Sequence, residues 1–207
     1  MSKPKSKSIS DDTKREILVA AWDLIEGSGR VDVGLAEIAE RAGVSRQALF
    51  YAFGNRAGLL LAMVRHKDTM TSHVARIQAA AADTSAYPEA LIRMAEAWLD
   101  YLPVIYPVGI LLDAAALTDA SAAAAWDDRM VGKLLQGLRR LASRLRIESG
   151  PFGTSDKVAD EIWAEIHPSM WRRLVIDCGW APEDFHNNRL RAVRRIIEAQ
   201  SERTGPD

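Results

Sequence analysis

The stretch that most limits what this chain can fold into is Leu35 to Phe53, LAEIAERAGVSRQALFYAF. Leu35, Ile38, Ala39 and Ala42 recur at helical spacing and make one apolar face of a short helix. Gly43 follows at once, where a helix ends and the backbone needs a positive φ that glycine adopts at little steric cost. Ser45 then suits the N-cap of a second helix, Arg46 to Phe53. Two short helices joined by a brief glycine-containing turn form a helix-turn-helix, whose second helix enters the DNA major groove. Ala39 is small where the two helices must cross, and Val44, Leu49, Ala52 and Phe53 point back toward the core. Arg46, Gln47, Phe50 and Tyr51 are left on the outer face.

Those outer residues have the right chemistry for reading bases. Arg46 can pair bidentately with guanine and Gln47 with adenine. Tyr51, one turn further on, can stack on a thymine methyl or bond a phosphate. Asn55 reads as the N-cap of the next helix, which puts Arg56 in that helix's first turn beside free backbone N–H groups; Ser45 and Arg56 therefore suit phosphates.

The stretch resembles the TetR-type one-component regulators. ILVAAWDLI stands as their first helix, LAEIAERAGVSRQALFYAF as the helix-turn-helix and GNRAGLL as the opening of helix four, so the likeness is close over residues 13 to 65 and one of layout beyond. It implies an all-α chain of about nine helices: an N-terminal three-helix DNA-binding domain, then a helical ligand-binding and dimerisation domain. The boundaries expected are a basic arm at 1–9, the DNA-binding domain at 10–55 and the second domain at 56–207. It also implies a homodimer on double-stranded DNA at a palindromic operator, with reading helices about 34–36 Å apart. An unidentified small-molecule effector, held between helices four to eight, would push helix four and release a repressor from its operator. The chain departs from the family's pattern in having Phe50 where Tyr is usual and Ala52 where a polar residue is common. Phe50 lacks the hydroxyl that commonly touches phosphate, so a second reading is a helical dimer with a degenerate helix-turn-helix, binding a small molecule or a protein without operator recognition.

Composition agrees with the all-α class. Alanine is abundant and no segment alternates as a strand would. Residues 1–70 hold 11 Lys+Arg against 9 Asp+Glu, and the remainder 16 against 19, so the mildly basic end is the one expected to meet DNA. Lys3, Lys5 and Lys7 lie in the N-terminal arm, which can reach into a minor groove or remain a solvated tail. No run looks long enough to span a bilayer and no signal peptide is evident, which points to a cytoplasmic protein without membrane association. The single cysteine, Cys178, leaves no internal disulfide or zinc-site spacing. His66 and His73 lack further ligands nearby, so neither a metal nor a cofactor is expected. No nucleophile elbow, HExxH or P-loop is present, and the chain is not expected to be an enzyme.

The remaining helices are expected as follows. Helix one starts near Ser10-Asp11-Asp12, with Ile17, Leu18, Ala21, Leu24 and Ile25 as its apolar stripe and Gly27-Ser28-Gly29 as its end; Trp22 falls off that stripe. Helix four runs from Arg56 to about Ala80. After a turn at Ala82 to Pro88, helix five covers Pro88 to Leu102, and Pro103 and Pro107 bracket a break. Asp119 caps a helix running to Ile147, with Arg139, Arg140, Arg144 and Arg146 as a solvated flank and Ser149 to Phe152-Gly153 as its end. Two last helices, 155–178 and 182–200, are interrupted near His167 by Pro168.

Five of the six tryptophans lie after residue 97. Aromatics near proline breaks suit a concave, mostly apolar pocket. Its candidate residues are Met94, Trp98, Tyr101, Tyr106, Leu112, Trp126, Met130, Trp163 and His167, for a mostly apolar or aromatic ligand, although large aromatics also serve simply as core. The candidate dimer interface, by resemblance, draws on Ile162, Ile166, Met170, Leu174, Leu190, Val193 and Ile197.

Overall fold

The computed structural model describes residues 9–28, 33–83, 88–144 and 155–201, and among these every regular element is helical. The lysines of the N-terminal arm, Gly29, most of the 82–88 turn, Arg146 and the 149–153 segment lie outside the described residues. Helix α1 is Asp11–Ser28, α2 Leu35–Arg41, α3 Arg46–Phe53, α4 Arg56–Thr69, α5 His73–Ala82 and α6 Glu89–Ala116. Helix α7 spans 120–142 and α8 is Ser155–Glu165. Helix α9 joins Pro168–Trp171 to Arg172–Asp177, and α10 is Pro182–Ser201. Backbone contacts group the chain into two compact units, Met1–Met70 with Pro107–Ala125, and Thr71–Tyr106 with Trp126–Asp207.

In the first unit, α1 packs on α2 and α4. Its buried stripe is Ile17, Leu18, Ala21 and Ile25, with Leu24 only half-buried. Trp22 is buried as well, and Lys67 lies over its ring, 4.5 Å from the centroid. That contact joins the first helix to the last turn of α4. Asp11 and Asp12 stand in the first turn of α1, where the helix dipole favours anions. Ser10 Oγ accepts the Thr13 amide at 3.1 Å and so caps the helix.

Helix α4 ends at Thr69 and does not continue to Ala80. Thr69 Oγ1 donates to the His66 carbonyl at 2.7 Å, and Thr71 and Ser72 follow. Hydroxyl side chains that bond neighbouring backbone compete with the helix ladder. The chain restarts as α5 at His73.

The opposite departure occurs in α6, which runs unbroken through Pro103 and Pro107. A proline inside a helix costs about 3 kcal/mol, through the lost amide bond and a ring clash. Pro103 is exposed and Pro107 half-buried, so the side that loses bonds is the outer one. On the inner side Leu99, Leu102, Ile105, Val108 and Leu111 are all buried, at roughly 1.5–3 kcal/mol apiece. Burial wins. Helix α6, at 28 residues with a window of mean hydropathy 1.4, is also long and apolar enough to cross a membrane, contrary to the expectation from sequence. Its inward residues are core residues, and the central helix of a folded all-α body has the same length and composition.

Helix α7 begins as expected, with Asp119 Oδ1 accepting the amides of Ser121 at 2.8 Å and Ala122 at 3.1 Å. It is α-helical over Ala120–Asp127 and π-wound over Asp128–Leu135, then α-helical again over Gln136–Ala142. The side chains at every fourth position, Ala122, Trp126, Met130, Leu134, Leu138 and Ala142, are all buried. An α-helix with 3.6 residues per turn drifts about 40° per such step, so a uniform α-helix would carry this series round to the solvent side. The wider π winding takes out that drift and keeps the series on one face.

In the second unit, α8 packs against the last part of α7 and against α10. Arg139 is not a solvated flank: its Nε and Nη2 reach Asp160 Oδ1 at 3.0 and 2.8 Å. Trp98 Nε1 donates to the Ile166 carbonyl at 2.8 Å. The interruption at Pro168 is as expected, and His167 caps the restart, its Nδ1 accepting the Ser169 amide at 3.2 Å.

Candidate nucleic-acid interface

The end of α2 is closed by two backbone bonds. Gly43 N–H donates to the Glu40 carbonyl at 3.1 Å and Val44 N–H to the Ala39 carbonyl at 2.9 Å. This pairing is the Schellman arrangement, which needs a left-handed residue after the cap, and Gly43 has φ of 65°. Ser45 has extended backbone, and its side chain accepts the Ala48 amide at 3.1 Å, so α3 starts where the sequence indicates. At its far end Gly54 N–H donates to the Phe50 carbonyl at 2.8 Å. Asn55 then caps α4 by accepting the Gly58 amide at 2.8 Å.

Gly58 is the position the sequence reading missed. A Cβ there would lie 2.0 Å from the Phe53 carbonyl oxygen, so only glycine lets α4 start this close to the end of α3. A glycine three residues after a capping Asn, inside a helix where it costs about 1 kcal/mol, was the available signal.

Leu49 is fully buried, and Val44, Ala52 and Phe53 are half-buried, which fixes the inner face of α3. Arg46 and Gln47 are exposed, Phe50 is 62% exposed and Tyr51 72%. Those values decide the matter for the aromatics: two large rings that burial would favour are held in solvent. Gln47 Nε2 donates to Tyr51 Oη at 3.3 Å. Arg56 also has a partner within the chain. Its Nε donates to the Val33 carbonyl at 3.3 Å, tying the start of α4 to the residue before α2.

Residues 17–63 match the family model described as bacterial regulatory proteins, tetR family. Over that stretch, the helix-turn-helix and its flanking helices, the chain is similar to the tetR family. It is 31% identical over 93 residues to the HTH-type transcriptional activator FasR of Mycolicibacterium smegmatis, a match that spans 44% of this chain and 41% of FasR. Among solved structures, it superposes on a transcriptional regulator from Rhodococcus sp. Rha1 with a TM-score of 0.69 at 16% identity, covering 90% of this chain and 96% of that one. It also superposes on the TetR-like regulator LfrR of Mycobacterium smegmatis, solved in complex with proflavine, with a TM-score of 0.53 at 24% identity, covering 89% and 96%. The likeness to these structures is one of all-helical fold.

The aromatic candidates fall into separate groups. Trp98 meets Tyr101 edge-on at 6.3 Å between centroids, and His73 stacks on Tyr101 at 5.2 Å. Trp163 meets His167 edge-on at 5.0 Å, and the Ile166 carbonyl bond to Trp98 links these two pairs. Met94, Trp126 and Met130 are buried in the same unit, whereas Leu112 is buried in the other. Tyr106 leaves the group and packs on Trp171 at 6.0 Å. Burial pushes the Tyr106 phenol above its ordinary value of 10.0, against the opposing pull of the Arg172 guanidinium.

The dimer candidates divide by burial. Ile162, Ile166, Val193 and Ile197 are buried within the single chain, so they have no surface to offer a second copy. Met170, Leu174 and Leu190 are half-buried, and Ile176, not anticipated, is exposed beside them in sequence. The sequence reading took each helix's apolar stripe as one face; the inner part of the stripe closes the monomer. Among the described residues no group of side chains is arranged to hold a metal.

Proposed function

We propose that this chain is a ligand-responsive, sequence-specific DNA-binding transcriptional regulator, a repressor that binds a palindromic operator as a cytoplasmic homodimer and leaves it when a small molecule binds. It is not an enzyme in this reading. The observation that carries the proposal is the outer face of α3, where a Ser45-capped helix holds Arg46, Gln47, Phe50 and Tyr51 in solvent. Residues 10–55 form the DNA-binding domain and 56–207 the effector and dimerisation domain. Arg46 and Gln47 read base edges, while Ser45, Asn55 and Arg56 lie along the phosphates.

The effector is an apolar or aromatic molecule held by the Trp98, Tyr101, Trp163 and His167 group. LfrR, a structural relative, is solved with proflavine bound. The second copy covers the outer side of α9 and α10, around Met170, Leu174 and Leu190. To release DNA, the effector must bind the released arrangement more tightly than the DNA-bound one, since equal affinity shifts nothing. FasR is named an activator, so the direction of regulation is an outcome to measure. A DNA-silent module is the second reading, favoured by the solvent-held Phe50 ring.

Selection of bound fragments from the source genome by purified full-length protein, at near-physiological salt, tests the proposal. Salt at that level suppresses non-specific phosphate binding. Enrichment of one inverted repeat is expected; a folded dimer that enriches nothing would move the assignment to the DNA-silent module.

A further inference from the structure

The bond between Gln47 and Tyr51 has a consequence for which base the chain reads. The two residues are one turn apart on α3 and both exposed, and Gln47 Nε2 donates to Tyr51 Oη at 3.3 Å. A long exposed side chain ordinarily keeps several rotamers, and fixing one costs entropy when DNA is met. The bond to Tyr51 restricts that freedom beforehand. It also sets the direction of the amide: with the NH₂ group turned to the phenol, Oε1 faces away from it.

Adenine presents N7 as an acceptor and its N6 amino group as a donor in the major groove, so a carboxamide that reads it needs one N–H and one oxygen. The Gln47 NH₂ carries two hydrogens, and the one given to Tyr51 leaves the other for N7. Guanine presents two acceptors, N7 and O6, and Oε1 would face O6 with no hydrogen between them. Phe50, three residues from Gln47 and 62% exposed, has no polar atom to satisfy. In the major groove the apolar feature is the thymine C5-methyl group.

We propose that Tyr51 is a positioning residue that holds Gln47 for adenine, with Phe50 against the methyl group of a neighbouring thymine, so that each half-site contains an A·T step read by these three side chains. The inference rests on the operator-reading function proposed above.

The test compares full-length wild type, Tyr51→Phe and Phe50→Ala in binding selections from randomised inverted repeats. Titrations follow on the wild-type site and on copies carrying guanine for adenine or uracil for thymine. Tyr51 and Phe50 are exposed, so both variants keep the wild-type unfolding midpoint. Tyr51→Phe is expected to lose about tenfold in its preference for adenine over guanine at one position per half-site. Uracil for thymine is expected to weaken the wild type about fourfold, the worth of one buried methyl group, and to leave Phe50→Ala unmoved. An unchanged base preference in Tyr51→Phe, or a uracil effect that persists in Phe50→Ala, overturns the inference and leaves the regulatory reading intact. A wild type that enriches no site overturns both.

Discussion

Residues 35–58 and residues 99–142 are both helical, and they are helical for different reasons. In the first region each boundary is set by a bond made within a few residues: Gly43 and Val44 close α2, Ser45 opens α3, and Asn55 opens α4. In the second region the local signals point the wrong way. Pro103 and Pro107 should interrupt α6 and do not, and the π stretch of α7 carries no breaker at its ends. Burial on the inner side decides both cases. Local bonding makes a segment that keeps its shape while its outer face stays in solvent, which a recognition helix requires. Burial makes a segment whose shape depends on its neighbours.

Substitutions separate the two regimes. The largest effect is expected from Gly58→Ala, because the added Cβ would meet the Phe53 carbonyl oxygen at 2.0 Å. A loss of roughly 3 kcal/mol or more is expected by denaturant unfolding, together with a lost start to α4; a neutral result would mean that the α3–α4 junction has room to relax. Next is Leu134→Ala in the π stretch, expected to cost about 2–5 kcal/mol. If the π winding exists to keep the every-fourth series inward, removing one member should also raise amide exchange across 128–135, and unchanged exchange there would sever winding from burial. Ser45→Ala should cost about 1 kcal/mol, with exchange increasing at the Ala48 amide and not in α6. The smallest effect is expected at Tyr106. Its phenol is raised by burial above 10.0, so between the unfolded and folded values the unfolded chain has released a proton that the folded chain still holds. Stability contributed by the neutral phenol is therefore fully present below pH 10 and declines as pH rises through the folded value. Tyr106→Phe should flatten that alkaline decline in unfolding midpoints, and an identical decline would assign it to other groups.

The same division explains what could be read from the sequence. Gly43, Ser45 and Asn55 act on atoms three or four residues away, so residue identity and spacing were enough to locate α2, α3 and the start of α4. Trp22 could not be placed, because its partner Lys67 is distant in the chain and belongs to a helix with its own stripe. The family resemblance assigns Ile162, Ile166, Val193 and Ile197 to a dimer face, yet their apolar spacing suits the inner surface of a monomer equally well, and there they are buried. The helix of 120–142 had a legible clue: a strict every-fourth series that a 3.6-residue helix cannot keep on one face over six positions. The break after Thr69 was harder, since it depends on one hydroxyl choosing a carbonyl over solvent.

The central claim is that the outer face of α3 reads bases. The most direct measurement is the ratio of affinities for the selected inverted repeat and for random duplex of equal length, in wild type and Arg46→Ala, at the same near-physiological salt. A base-reading Arg46 predicts that the variant loses about 1–3 kcal/mol on the selected site and much less on random duplex, so the ratio falls. Equal losses on both duplexes would make Arg46 a phosphate contact and contradict the claim.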